Sequence, residues 1–311
     1  MHTDLAARTN FSIGDSILTV EQLVDEAKKT GVNALGITDT MSVTGMIDFT
    51  NRCKKNGIKP IIGCRLRLVD DHTWRPVKGV KSRRSEYFVN YYVLSEKGLK
   101  ALFRLLSLAN SSDHFYYVPL LSFDDLYKEL DTLSADDVII ASSDVYSVVQ
   151  HKDAANILQN IKRRVSASNA FLTLSPIDTP YYDSVNIKAL ELADELGLEV
   201  LVTRPVFYDK GEDVAADVMR AIISNNKISE VFTACNFVRD FHVMDEVEFK
   251  DVTSKYAENL KRRRGVDAVD RFEEGLRNAT KLADLVTYEW KKSAPSLPEM
   301  AKDEYAQLVK E

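Results

Sequence analysis

Short apolar runs alternate along most of the chain with stretches whose apolar residues recur every three to four positions. The runs 3–7, "NALGIT" at 33–38, "IKPIIGCRLRL" at 58–68, "EYFVNYYVL" at 86–94, "DVIIAS" at 137–142, "AFLTLS" at 170–175 and "EVLVT" at 199–203 predict about seven strands. Several are joined by helical patterns. In "TVEQLVDEAKKTG", Thr19 is the cap, Leu23 and Ala27 share a face, and Gly31 is the stop. "VNIKALELADELGLEVLVT" repeats the device, with a helix, Gly197 at its end, then a strand. The alternation predicts an α/β fold of parallel strands with crossover helices, and seven such strands favour a barrel over an open sheet. From about residue 251 only helices are predicted, including "VDAVDRFEEGLRNATKLADLV". The expected division is a barrel over 1–250, closing helices over 251–292, and over 293–311 a linker and the start of a further region.

Composition changes this picture little. With 311 residues, 45% hydrophobic and 28% charged, the chain can bury a sizeable core. A net charge of -6 and a pI near 5.6 exclude a protein that grips nucleic acid over its whole surface. They leave room for a local basic patch, and "WRPVKGVKSRRSEYF" offers one: Arg75, Lys78, Lys81, Arg83 and Arg84. It lies between two predicted strands and reads as an exposed hairpin tip or loop, solvated first and a nucleic-acid or partner contact second. "KRRRG" at 261–265 reads as the charged C-terminus of a helix ended by Gly265. Glu212, Asp213 and Asp217 read as a helix start. Phe115, Tyr116 and Tyr117 read as core or interface packing rather than base stacking.

The metal and nucleophile motifs are thin. Cys53, Cys64 and Cys235 form no C-x-x-C pair, so neither a zinc knuckle nor a disulfide framework is expected. His2, His72, His114, His151 and His242 show no i, i+4 or H-x-H spacing. There is no G-x-S-x-G, P-loop or G-x-G-x-x-G. No apolar stretch is long enough to span a membrane, and "MHTDLAARTNFS" lacks a signal-peptide core, so a cytoplasmic location is expected, in a bacterial or infected bacterial cell once the resemblance below is considered.

One carboxylate stands out. In "GVNALGITDTMSVTGMIDFT", Asp39 sits where a strand ends, the place where chemistry collects in α/β barrels. The surrounding residues, "FSIGDS" and "LVDEAKKTGVNALGITDTMSVTGMIDFTNRCKKNGIKPIIGC", resemble the N-terminal PHP (polymerase and histidinol phosphatase) domain of bacterial replicative DNA polymerase III alpha subunits. The family's His-Ser/Thr-x-Tyr-Ser falls on Arg8-Thr9-Asn10-Phe11-Ser12, its Thr-Asp-His on Thr38-Asp39-Thr40, its helix-start glycine on Gly45, and its Gly-Ile-Lys-Pro-Ile-x-Gly on Gly57–Gly63. "VLSEKGLKALFRLLSLA", "LELADELGLEVLVTRPVFYDKGEDVAADVMRAI", "FHVMDEVEF" and "GLRNATKLADLV" follow in the family's order, and "LPEM…DEYAQLVKE" resembles the opening of the polymerase portion.

The resemblance implies a distorted seven-stranded (β/α) barrel of PHP type, with up to three metal ions at the C-terminal ends of the strands. Carried over position by position, the ligands are nearly all gone. The His-x-His pair falls on Ala6 and Arg8, the next His on Thr40, a Glu on Arg65, a strand His on Asn90, a later carboxylate on Thr173, and an Asp-x-His pair on Pro205 and Phe207. Only Asp39 survives, with His2 close by in sequence as a stray ligand. No metal, no cofactor and no catalytic residue are therefore expected, and Asp39 is read as a remnant with Arg8, Arg65 or Arg204 as its counter-ion.

The function so implied is an inactive PHP domain or subunit, a structural and interaction scaffold in DNA replication. Its partners would be the catalytic part of a replicative polymerase and, as in some family members, a proofreading exonuclease. A split or phage-encoded version fits the same reading. The family's polymerase carboxylates lie in a later palm, so this chain alone is not expected to polymerise DNA. Two alternatives stand beside it: a residual metal-dependent phosphoesterase or proofreading nuclease, and a mimic that binds host replisome components.

Overall fold

Helices form where the sequence supplies both a cap and an apolar stripe. In α1 (Val20–Lys29), Thr19 and Gln22 close a capping box while Val20, Leu23, Val24 and Ala27 are buried. These elements belong to a computed structural model that describes residues 2–76, 84–224, 227 and 241–292. The strands are β1 (Thr3–Ala7), β2 (Ala34–Ile37), β3 (Lys59–Val69), β4 (Tyr87–Val93), β5 (Leu121–Ser122), β6 (Val138–Ser142), β7 (Ala170–Leu174) and β8 (Glu199–Val202). Between them lie α2 (Met46–Lys55), α3 (Glu96–Ala109), α4 (Phe123–Leu130), α5 (Ala154–Val165) and α6 (Pro180–Leu196), followed by α7 (Asp213–Ser224), α8 (Glu246–Arg264) and α9 (Val269–Leu285).

Seven of the strands follow the order β1-β2-β3-β4-β6-β7-β8, and the two-residue β5, which has no signature in the sequence, pairs with β3. The pairings β1–β2, β2–β3, β6–β7 and β7–β8 are parallel. β4 is antiparallel to both β3 and β6. The antiparallel pairing of β3 and β4 agrees with the reading of the segment between them as a hairpin tip, and the pairings that do not involve β4 keep the parallel pattern expected. Among the described residues, no helix lies between β3 and β4, and a parallel return needs a crossover of a dozen or more residues, usually helical. The curled sheet closes on itself where Ala7 bridges Val206, with the Arg8 amide donating to the Val206 carbonyl at 3.1 Å. The result is the distorted (β/α) barrel expected.

The last two described helices pack on the barrel. Phe249, Tyr256, Ala257, Leu260 and Phe272 share one apolar cluster with β3, β6, β7 and β8 residues, and Leu282 and Ala283 join Leu5 and Leu201 in another. The segment "KRRRG" ends α8 at Gly265, whose φ is +71°. Arg263 there pairs with Asp178 at 2.5 Å and with Asp183 at 2.8 Å. α9 approaches β8 through Gly275, where an added Cβ would lie 2.6 Å from Val202 Cγ2 and 2.9 Å from its backbone nitrogen. Gly275→Ala is expected to prise α9 off β8 and cost about 1–3 kcal/mol. A urea midpoint equal to that of the parent would refute this close approach. Residues 293–311, read as a linker and further region, lie outside the described residues. Among the described residues, no helix is long and apolar enough to cross a membrane.

Candidate functional site

The C-terminal strand ends converge on a buried polar mouth. Asp39 follows β2 and is 1% exposed. Both its oxygens are taken: Oδ1 accepts from the Thr9 amide at 2.6 Å and the Ser12 hydroxyl at 2.6 Å, and Oδ2 accepts from the Thr9 hydroxyl at 2.7 Å. Burial pushes the Asp39 carboxyl above the ordinary carboxylate range, and the Ser12 and Thr9 bonds, with the Arg8 charge, oppose that rise. The donors come from the loop after β1, which the Ser16 hydroxyl pins by donating to the Arg8 and Phe207 carbonyls, each at 2.8 Å.

The arginines turn elsewhere. Arg8, 1% exposed, makes a buried ion pair with Asp144, which lies just past β6. Arg65 donates from Nε to the Ser143 hydroxyl at 2.9 Å and from Nη2 to the Val145 carbonyl at 2.7 Å, and lies 3.9 Å from Asp144. Its guanidinium sits over the Phe88 ring at 3.6 Å. Burial, with Arg8 beside it, pulls Arg65 down to about 9, so it stays a cation at neutral pH. Burial would raise Asp144, but the Arg8 and Arg65 guanidiniums outweigh it and hold the carboxyl below its ordinary range. Arg204 donates to the Pro176 carbonyl. Asp39 is thus held by hydroxyls and an amide, with Arg8 reaching it only through its charge, while Arg8 pairs directly with Asp144 and Arg65 lies between Asp144 and Asp15.

The other positions read from the sequence gather on the same strand ends. Ala6, Asn90 and Thr173 are buried, and the Thr173 amide donates to the Ser142 hydroxyl at 2.8 Å. Arg65 and Asn90 face each other across β3 and β4, and Thr40 bridges Arg65 from the other side. Pro205 and Phe207 are buried after β8, and Arg8 lies 5.1 Å from the Phe207 ring centre. His2 does not join them. It precedes β1, at the opposite end of the barrel, and its Nε2 contacts the Met244 carbonyl at 2.7 Å. Among the described residues, no group of three His, Cys, Asp or Glu ligand atoms converges at this mouth.

Asp144 was legible in the same way as Asp39, as the first carboxylate after a strand, in "VIIASSD". Outward from the mouth a cleft of about 620 Å³ is lined by Asp15, Arg65, Arg67, Arg84, Glu86 and Tyr146. Of the basic segment, Lys78, Lys81 and Arg83 lie outside the described residues. Arg84 pairs with Glu86 at 3.0 Å, and Arg75 stacks over Tyr116 at 4.4 Å. Phe115 and Tyr117 are 45% and 84% exposed, which removes them from the core.

Comparison with known proteins follows this geometry. A family model described as "PHP domain" matches residues 4–234. DNA polymerase III subunit alpha of Yersinia pestis is 27% identical over 319 residues, covering 98% of this chain and 26% of that protein. The subunit of the same name from Aquifex aeolicus is 26% identical over 239 residues, covering 75% of this chain and 20% of that protein. The chain thus spans about a quarter or less of the length of these curated relatives. A Bifidobacterium adolescentis structure described as a metal-dependent phosphoesterase aligns with a TM-score of 0.45 and 11% identity over 65% of this chain and 86% of that one.

Proposed function

Because the chain belongs to the PHP domain family, we propose that it serves as the PHP domain of a DNA polymerase III alpha-type replicase whose barrel mouth has exchanged metal chemistry for a packed, charge-balanced plug. The buried Arg8–Asp144 pair carries this reading. A metal cluster needs several imidazoles and carboxylates with free lone pairs. Here the positions of Ala6, Thr40, Asn90, Thr173, Pro205 and Phe207 offer no ligating His or carboxylate, and Arg8 and Arg65 bring fixed positive charge that repels a cation. Asp39 spends its lone pairs on Thr9 and Ser12. The mouth therefore does not fit the family's metals. Among the described residues thiol chemistry offers no substitute, since burial raises Cys53 and Cys64 to about 12 and keeps both protonated.

What remains is a rigid barrel suited to holding other chains. Its role in this reading is a structural and interaction scaffold in DNA replication, in the cytoplasm, with the palm-bearing part of a polymerase and a proofreading exonuclease as partners. The segment around Arg75 and Arg84 is the surface proposed to touch DNA or a partner. Two measurements test this on the tagged chain. Capture from cells that make it is expected to recover a palm-bearing polymerase chain or a 3′–5′ exonuclease, identified by mass. Added Mn²⁺ or Zn²⁺ is expected to give no hydrolysis of a phosphodiester above background. Metal-stimulated hydrolysis that vanishes in Asp39→Asn would sink the proposal.

A further inference from the structure

Two histidines and a carboxylate distant in sequence meet beyond the end of β3. His72 follows β3, His114 lies in the turn after α3, and Asp125 lies in the first turn of α4. The His72 and His114 rings stack with centres 3.9 Å apart and planes 6° from parallel. His114 Nε2 lies 3.2 Å from Asp125 Oδ2, and His72 Nδ1 lies 3.9 Å from the same oxygen. The three ligand atoms all lie within 4.8 Å of one another. On a zinc ion with bonds of 2.0–2.1 Å, tetrahedral ligand atoms stand about 3.3 Å apart. One edge of the triangle already has that length, and to close the others one ring must tip out of the stack so that both in-plane lone pairs point at the same ion.

The surroundings hold the ligands in place. Asp125 Oδ2 accepts from the Ser122 amide at 2.9 Å and the Ser122 hydroxyl at 2.6 Å, which fixes the carboxylate and, unlike at Asp39 where both oxygens are taken, leaves Oδ1 for an ion. His114 Nδ1 lies 3.3 Å from the Ser111 hydroxyl. With Nδ1–H donating to Ser111, the Nε2 lone pair is aimed at the Asp125 oxygen, an arrangement that a cation between them makes favourable. The ligands are partly screened from water, at 24%, 10% and 11% side-chain exposure for His72, His114 and Asp125. None of the barrel-mouth residues takes part.

We propose that His72 Nδ1, His114 Nε2 and the Asp125 carboxylate form a site for one borderline divalent cation of the zinc class, with water completing its shell. Two imidazoles and one carboxylate select Zn²⁺, Co²⁺ or Ni²⁺ over Mg²⁺ and Ca²⁺, which prefer all-oxygen shells. The ion would clip together three segments that otherwise touch through side chains: the end of β3, the turn after α3 and the start of α4. It would also fix the root of the basic segment, because Arg75 donates to the His72 carbonyl at 2.8 Å and stacks on Tyr116.

The test is a titration of the metal-stripped 311-residue chain with Co²⁺, read by its visible absorption and reversed by Zn²⁺. One equivalent is expected to bind, and Zn²⁺ is expected to raise the melting temperature. His72→Ala, at the half-buried ligand, is expected to weaken binding at least about tenfold. Asp39→Asn is expected to leave it unchanged. X-ray absorption of the zinc-loaded parent chain should show imidazole scattering, which keeps the test decisive if a variant at the more buried His114 does not fold. Absence of binding, retention of full affinity in His72→Ala, or loss in Asp39→Asn would each overturn the site.

Discussion

Asp144→Ala is expected to destabilise the fold by about 3–5 kcal/mol, the cost of leaving a buried guanidinium without its partner. Arg8 is 1% exposed and Asp144 is 1% exposed, so water cannot take the partner's place. Arg65 loses one of its two carboxylate neighbours in the same step and keeps the other, Asp15, at 3.8 Å. The paired replacement Arg8→Met with Asp144→Leu is expected to recover most of that loss, since it removes both charges from a dry site. Urea unfolding with an unchanged slope and a shifted midpoint measures both. A single variant within about 1 kcal/mol of the parent would mean that the pair is not holding the mouth.

The pH dependence carries a sign that separates this pair from its neighbours. The folded-state pKa of Asp144 is depressed, so its contribution is present above the unfolded carboxylate value and is lost as pH falls through that value and below. Asp4 behaves oppositely. Burial raises its carboxyl to about 6, so the stability it contributes is present at acid pH and fades as pH climbs through about 6. The two trends partly cancel in the parent. The difference between the parent and Asp144→Ala, followed downward from neutral pH, is therefore expected to shrink as Asp144 protonates.

Gly98→Ala is expected to cost about 3 kcal/mol or more, although alanine is the better helix former. Gly98 lies in the first turn of α3, capped by the Ser95 hydroxyl, which accepts from its amide at 3.0 Å. The Asp137 backbone closes over this turn. Its carbonyl accepts from the Leu94 amide at 3.0 Å, and its Oδ1 accepts from the Ser95 hydroxyl at 2.5 Å. A Cβ on Gly98 would sit 2.0 Å from that carbonyl oxygen. The obstacle is backbone, so α3 or the loop before β6 must shift, and the Tyr91 hydroxyl bond to the Gly98 carbonyl at 2.8 Å shifts with it. A melting temperature equal to the parent's would contradict the close approach.

The sequence made some levels of this molecule legible and hid others. Strands such as β2 and β8 were readable because they are short, mostly apolar runs that follow glycine-stopped helices. The direction of β4 was legible only through its connection, which reads as a hairpin tip, because a strand's apolar pattern is the same whichever way its neighbours run. β5 is held by two bridges to Leu68 and Val69, and two residues show no period. At the mouth, the scarcity of imidazoles and carboxylates could be read from residue types alone. The partner of Arg8 could not, because Asp144 is brought to it by the barrel's curl. The same holds for His72, His114 and Asp125, whose spacing matches no local metal motif.

The bridge from Ala7 to Val206 also constrains how the chain can be made. β1 leaves the ribosome well before its closing neighbour and meets it only after nearly the whole barrel has been synthesised. Until then β1 has only β2 beside it, and its other edge is open to pairing with foreign strands. Contacts so remote in sequence make ring closure a late, slow event. The seam is sealed later still, when α9 lays Leu282 and Ala283 against Leu5. A nascent chain released before that helix emerges would carry an unlatched barrel and depend on chaperones to keep its edge from sticking.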